Sequence, residues 1–113
     1  MKHSYEEVIS VLLKFRDDRD WEQFHDSKNL ALALSIEAAE LNELFLWKNF
    51  PESENIPREK LKEELADVLS FAFLLAHKHG FNPFELVLDK VVKNNEKYPV
   101  EKAKGKSDKY TEL

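Results

Sequence analysis

Two pairs of carboxylates sit where a helix would ordinarily carry leucine. In the run LALALSIEAAELNELFLW, a projection at about 100° per residue with Glu37 at zero puts Leu30 at about 20°, Leu41 at about 40°, Leu34 at about 60° and Leu44 at about 340°. Glu37 falls in the middle of the apolar face. Glu40 follows one turn later, at about 300°, beside Ala33 and Trp47. The segment KEELADVLSFAFLLAHK repeats the pattern: with Glu64 at zero, Leu75 lies at about 20°, Val68 at about 40°, Leu61 at about 60°, Phe71 at about 340° and Asp67 at about 300°.

Burying one ionised carboxylate without a partner costs several kcal/mol, and four close together repel one another and raise their pKa values. A cation therefore belongs among Glu37, Glu40, Glu64 and Asp67. The chain has no cysteine, and neither helix places a histidine beside the acids. The donor set is all oxygen, which suits Mg²⁺, or Mn²⁺, better than zinc. Magnesium keeps waters and shares its ligands with phosphate, so such a site points to a phosphorylated substrate. Both helices lack the Glu-x-x-His pairs of carboxylate-bridged di-iron proteins. Glu43, Glu59 and Glu63 read as ordinary solvated helix acids.

The elements that must position these groups are helical. Ser4 and Glu7 form a capping box ahead of Val8, Ile9, Leu12, Leu13 and Phe15, which predicts a first helix ending near Asp18. Arg19 to Lys28 breaks the periodicity but carries Trp21, Phe24 and His25, and is expected to be an ordered loop. The second helix should run from between Ser27 and Asn29 to about Phe50, before Pro51. The third starts near Pro57, buries Leu61, Leu65, Val68, Leu69, Ala72 and Leu75, and ends at Gly80. Asn82, Pro83 and Glu85 begin a fourth, expected to reach about Tyr98 before Pro99. The expectation is an all-α four-helix bundle of antiparallel helices: a helical domain over 1–99 and a polar tail over 100–113.

Composition narrows the function. At 113 residues, 42% hydrophobic and with two glycines, the chain is one domain's worth and poor in the breakers that β-sandwiches use. Seventeen basic against 22 acidic residues give a formal charge of -5, which argues against a nucleic acid polymer as partner. The N-terminus MKHSYEEVIS has no apolar signal core, and no uncharged run approaches the roughly 18 residues of a membrane span. The expected setting is cytoplasmic.

The ordered set EAAE at 37–40, EELAD at 63–67, RDWEQFH at 19–25, Asn29, ELFLWK at 43–48, Lys90, Asn94, KYP at 97–99 and the closing KYTEL resembles the MazG-like all-α nucleoside triphosphate pyrophosphohydrolases, in particular their dCTP pyrophosphatase branch. The resemblance covers nearly the whole chain. It implies Mg²⁺-dependent cleavage between the α- and β-phosphates, giving a monophosphate and pyrophosphate, in a nucleotide-pool house-cleaning role with dCTP or its modified relatives as first substrates. It implies that Glu37, Glu40, Glu64 and Asp67 are the metal ligands, Glu37 or Glu40 also serving as the proton acceptor. By the same likeness Trp21, Phe24, His25, Trp47 and Phe71 face the nucleoside, while Lys90, Asn94, Lys97 and Tyr98 grip the phosphates. A homotetramer of tightly paired dimers is also implied. Two positions depart from the vertebrate pattern: Leu12 stands for a histidine and Phe71 for a tyrosine, removing an imidazole and a phenol from the sugar or base. The remaining alternatives are the same chemistry on dUTP or a damaged nucleotide, and a non-catalytic helical interaction module.

Overall fold

A computed structural model describes residues 2–113, and among these every regular element is helical. Four long helices, α1 (Tyr5–Asp18), α2 (Ser27–Glu43), α3 (Arg58–Lys78) and α4 (Pro83–Lys97), precede a short α5 (Val100–Ala103), with 3₁₀ turns at Glu22–Phe24, Glu52–Glu54 and Tyr110–Glu112. No helix among the described residues is long and apolar enough to cross a membrane.

Local chemistry sets most of the helix ends. The Ser4 hydroxyl accepts from the Glu7 amide and opens α1. Asp26 does the same for α2, accepting from Asn29 N at 2.7 Å, and Asn82 for α4, accepting from Phe84 N at 2.9 Å. Such caps satisfy amides that a first helical turn leaves unpaired. Just after α3, Gly80 takes φ +72, a left-handed conformation that costs glycine little.

The structure corrects the expected end of α2, which stops at Glu43 rather than near Phe50. From Leu44 onward the amides reach back only three residues, Leu44 to Leu41, Phe45 to Asn42 and Leu46 to Glu43. Trp47 then adopts φ +64, so the apolar spacing continues through a stretch whose backbone has left the helix. The polar tail over 100–113 contains α5 and a terminal 3₁₀ turn.

The chain forms two compact units, the first ending at Gly80 and the second running from Phe81 to Leu113. In the first, α3 packs mainly along α2 and more sparingly on α1. Its buried apolar residues are Ile9 of α1, Leu30 of α2, and Leu74 and Ala76 of α3. The expected stripe on α3 is only partly buried, since Leu65 and Leu69 remain exposed. In the second unit the chain folds back so that Tyr110 meets Tyr98 edge-to-face at 6.0 Å, with Lys97 Nζ 5.0 Å from the Tyr110 ring centre.

Candidate active site

On α2 and α3, Glu37, Glu40 and Glu64 each present a carboxylate oxygen, and the three oxygens lie within 4.8 Å of one another. Glu37 and Glu64 are half-buried and Glu40 is exposed. Glu37 Oε2 and Glu64 Oε2 are shut off from solvent with no hydrogen-bond partner. Glu40 is itself a carboxylate, so a hydrogen bond between it and Glu37 needs a proton on one of them. The side-chain hydrogen bond that Glu40 can accept from a protonated Glu37, then burial, then the charges of Glu40, Asp67 and Glu64 push Glu37 up to about 7. Burial first, then the charges of Glu40, Asp67 and Glu63, raise Glu64 as well. Two orphaned oxygens in a knot of negative charge are groups that a divalent cation would satisfy. The donor set fits a hard, oxygen-bound ion.

Asp67, one turn after Glu64, lies outside this triad. It is exposed and lines a neighbouring cavity of about 280 Å³. The wall of that cavity comes from one face of α3 (Asp67, Ser70, Phe71 and Leu74, spaced i, i+3, i+4 and i+7), from α1 (Leu12, Phe15 and Arg16), and from Trp21 and His25 of the connecting loop. Ser70 Oγ donates to the Ala66 carbonyl at 2.8 Å. The cavity is mostly apolar and close to the lower size limit of small-molecule sites, roughly 300 Å³, which suits a planar ring rather than a whole nucleotide.

The loop that supplies Trp21 and His25 is tied down at several points. Trp21 N donates to the Arg16 carbonyl at 3.1 Å, Phe24 N to Trp21 O at 2.9 Å and His25 N to Glu22 O at 3.0 Å. Gln23 Nε2 donates to Asp20 O at 2.9 Å, and Asn29 Nδ2 to Phe24 O at 3.1 Å. Phe15 packs edge-to-face on Trp21 at 5.8 Å, and the Arg19 guanidinium lies 3.7 Å from the Phe15 ring centre. His25 meets the Phe71 edge at 6.4 Å. Its Nδ1 is buried and unpartnered, and burial, then the charge of Arg16, lower its pKa despite an opposing pull from Glu22. A neutral imidazole offers one donor and one acceptor to whatever fills the cavity.

The other residues singled out from the sequence are placed differently. Phe24 is exposed and is not among the residues of that wall. Trp47 is 90% exposed and lies outside both the triad and the wall. Lys90, Asn94, Lys97 and Tyr98 belong to the second unit, where Asn94 is half-buried and its carbonyl accepts from Tyr98 N at 2.8 Å. His79, just after α3, is exposed and bonds Ser27 Oγ through Nε2 at 2.9 Å. Sequence reasoning missed Arg16 and Ser70. Ser70 follows Asp67 by three residues and so shares its face of α3, a spacing visible in the sequence, whereas Arg16 carries no such signal.

Among the described residues the chain is helical throughout its regular elements, with a carboxylate triad shared by α2 and α3 beside an aromatic cavity. Residues 32–113 match the MazG-like family, and the chain belongs to it. Two curated relatives are named dCTP pyrophosphatase 1. The one from Bos taurus is 41% identical over 96% of this chain and 67% of its own length, and the one from Homo sapiens is 42% identical over 96% and 66%. The chain thus spans about two thirds of those relatives. A solved structure of a pyrophosphatase from Archaeoglobus fulgidus superposes with a TM-score of 0.81 at 40% identity, covering 88% of this chain and 95% of that one.

Proposed function

We propose that the chain hydrolyses deoxynucleoside triphosphates, dCTP or its modified relatives first among them, to the monophosphate and pyrophosphate with Mg²⁺. It is a nucleoside triphosphate pyrophosphohydrolase by family and by its likeness to the two mammalian dCTP pyrophosphatases and the archaeal pyrophosphatase. The single observation that carries the metal reading is the pair of orphaned oxygens, Glu37 Oε2 and Glu64 Oε2, inside the triad with Glu40.

Glu37, Glu40 and Glu64 would hold the ion, with Asp67 joining from the cavity side. When bound, Mg²⁺ neutralises the triphosphate and acidifies an attacking water. The residues themselves do the rest. Trp21 and Phe71 offer ring faces and edges to the base, and His25 a neutral imidazole at its polar rim. Asp67 stands where the base cavity gives way to the carboxylates, which sets the direction from base to phosphates. Glu37 or Glu40 also serves as the proton acceptor of the set. In the second unit, Lys90, Lys97, Asn94 and Tyr98 supply cationic and neutral donors suited to phosphate oxygens. Phe24 and Trp47, assigned to the nucleoside by the family likeness, do not line the base cavity.

The same reading makes the protein a homotetramer of paired dimers. Leu32 and Ile36, one turn apart on α2, are 53% and 58% exposed, apolar surface that a neighbouring subunit would cover. Sedimentation equilibrium tests this: a tetramer is expected, and a monomer at micromolar concentration would overturn it. For the chemistry, wild-type protein is incubated with Mg²⁺ and a panel of dCTP, dTTP, dUTP, dATP and dGTP. Monophosphate is expected from dCTP first, and indifference to chelator would overturn the metal assignment.

A further inference from the structure

Arg16 belongs to no motif and to no acidic pair, yet its side chain is only 15% exposed. Its Nε donates to Asp17 Oδ1 at 2.8 Å, and its Nη2 donates to Glu22 Oε2 at 3.3 Å. Glu22 opens the 3₁₀ turn that joins Trp21 to His25. A second cavity, of about 270 Å³, lies against the first: Arg16, His25 and Leu74 line both, and Glu22, Leu30, His77 and Lys78 line the second alone. Arg16 and His25, with the buried Leu74 beside them, thus stand between the two cavities.

A wall with a void behind it lacks the packing that fixes core side chains, and its position depends on the polar ties that cross it. We propose that Arg16 is a positioning residue for the base cavity, its guanidinium holding Glu22 and through it the turn that carries Trp21 and His25 on the cavity wall. An arginine suits the task because its fork of donors can hold Asp17 and Glu22 at once, which a lysine ammonium does less well. Arg16 touches the pairs that orient the wall and takes no part in the phosphate chemistry. The inference rests on the reading of the cavity as a base site.

Two readouts separate the fate of this inference from that of the activity. The variants are Arg16→Met, which keeps the stem, Glu22→Gln at an exposed position, the double variant, and Arg16→Lys. Hydrogen exchange, measured without substrate, is expected to speed up about 3- to 5-fold at the amides of residues 22–25 in either single variant, the scale of one ion pair. The amides of α2 and α3 should not change. With dCTP and Mg²⁺, KM should rise by a similar factor while kcat stays within about twofold, the double variant should match the single ones, and Arg16→Lys should fall between. Unchanged exchange at 22–25 in both single variants, or a fall in kcat at constant KM, would overturn the role of Arg16. If wild-type protein cleaves no nucleotide, the proposed function falls, and the exchange result alone decides whether Arg16 holds the turn.

Discussion

Glu64 and Asp67 stand one turn apart on α3 and answer to different neighbours: Glu64 points an oxygen into the triad with Glu37 and Glu40, while Asp67 lines the aromatic cavity. The two carboxylates should therefore differ in how much of the metal affinity each carries.

Glu64→Gln is expected to lose the thermal stabilisation that Mg²⁺ gives the wild type, and to lower turnover by about 100-fold or more, the upper end of what even supporting residues of a metal site cost. Asp67→Asn should retain part of the stabilisation while losing turnover. Thermal melts by circular dichroism with and without Mg²⁺ check both, the helical signal at 20 °C serving as the control for folding. Equal loss of stabilisation in the two variants would place Asp67 among the triad's ligands.

The crowding of charge at Glu37 gives the metal-free protein a defined pH response. The carboxyl is raised from an ordinary 4.5 to about 7 in the folded chain. Below 4.5 both states hold the proton and nothing is gained or lost. Between 4.5 and 7 the folded state holds a proton that the unfolded state has released, so stability falls as pH rises. Above 7 the penalty is complete. His25, whose pKa is lowered, works in the opposite sense, because it costs stability as pH falls below its ordinary value. The difference between wild type and Glu37→Gln isolates the Glu37 contribution. In chelator, Glu37→Gln should melt higher than wild type at pH 8, and the gap should close by pH 4.5. A gap independent of pH would contradict the coupling.

Trp21 offers the largest aromatic surface on the cavity wall. Base stacking on an aromatic side chain contributes about 1–3 kcal/mol per base, so Trp21→Ala should raise KM for dCTP by about 5- to 150-fold, with kcat much less affected. Trp21→Phe should lose only part of this. Steady-state kinetics over a range of dCTP concentrations at saturating Mg²⁺ check it, and a fall confined to kcat would remove Trp21 from base binding.

Much of this arrangement is legible in the residues themselves. Ser4, Pro57, Gly80 and Asn82 mark helix ends because capping is local chemistry, and Glu37 stands out because a carboxylate on an apolar stripe has no structural reason to be there. The end of α2 was not legible, since the run to Trp47 keeps helical spacing while the left-handed backbone at Trp47 follows from the turn that the chain makes there. The exposure of Leu65 and Leu69 was hidden for a related reason: periodicity reports which face is apolar, not how much of it a neighbouring helix covers. The separation of Asp67 from Glu64 depends on how α3 is rotated against α2, which no single helix encodes. Arg16 is not legible because a lone arginine near a helix end reads as a favourable charge in the last turn, and its ties form only with the loop folded back beside it.

The most direct test of the account is product identity. Purified protein with Mg²⁺ and dCTP, resolved by anion-exchange chromatography, should yield dCMP and pyrophosphate in equal amounts, and chelator should stop the reaction. Release of dCDP and orthophosphate would place the cleavage at the wrong bond, and inertness toward every triphosphate would contradict the account of the triad and cavity as a pyrophosphohydrolase site.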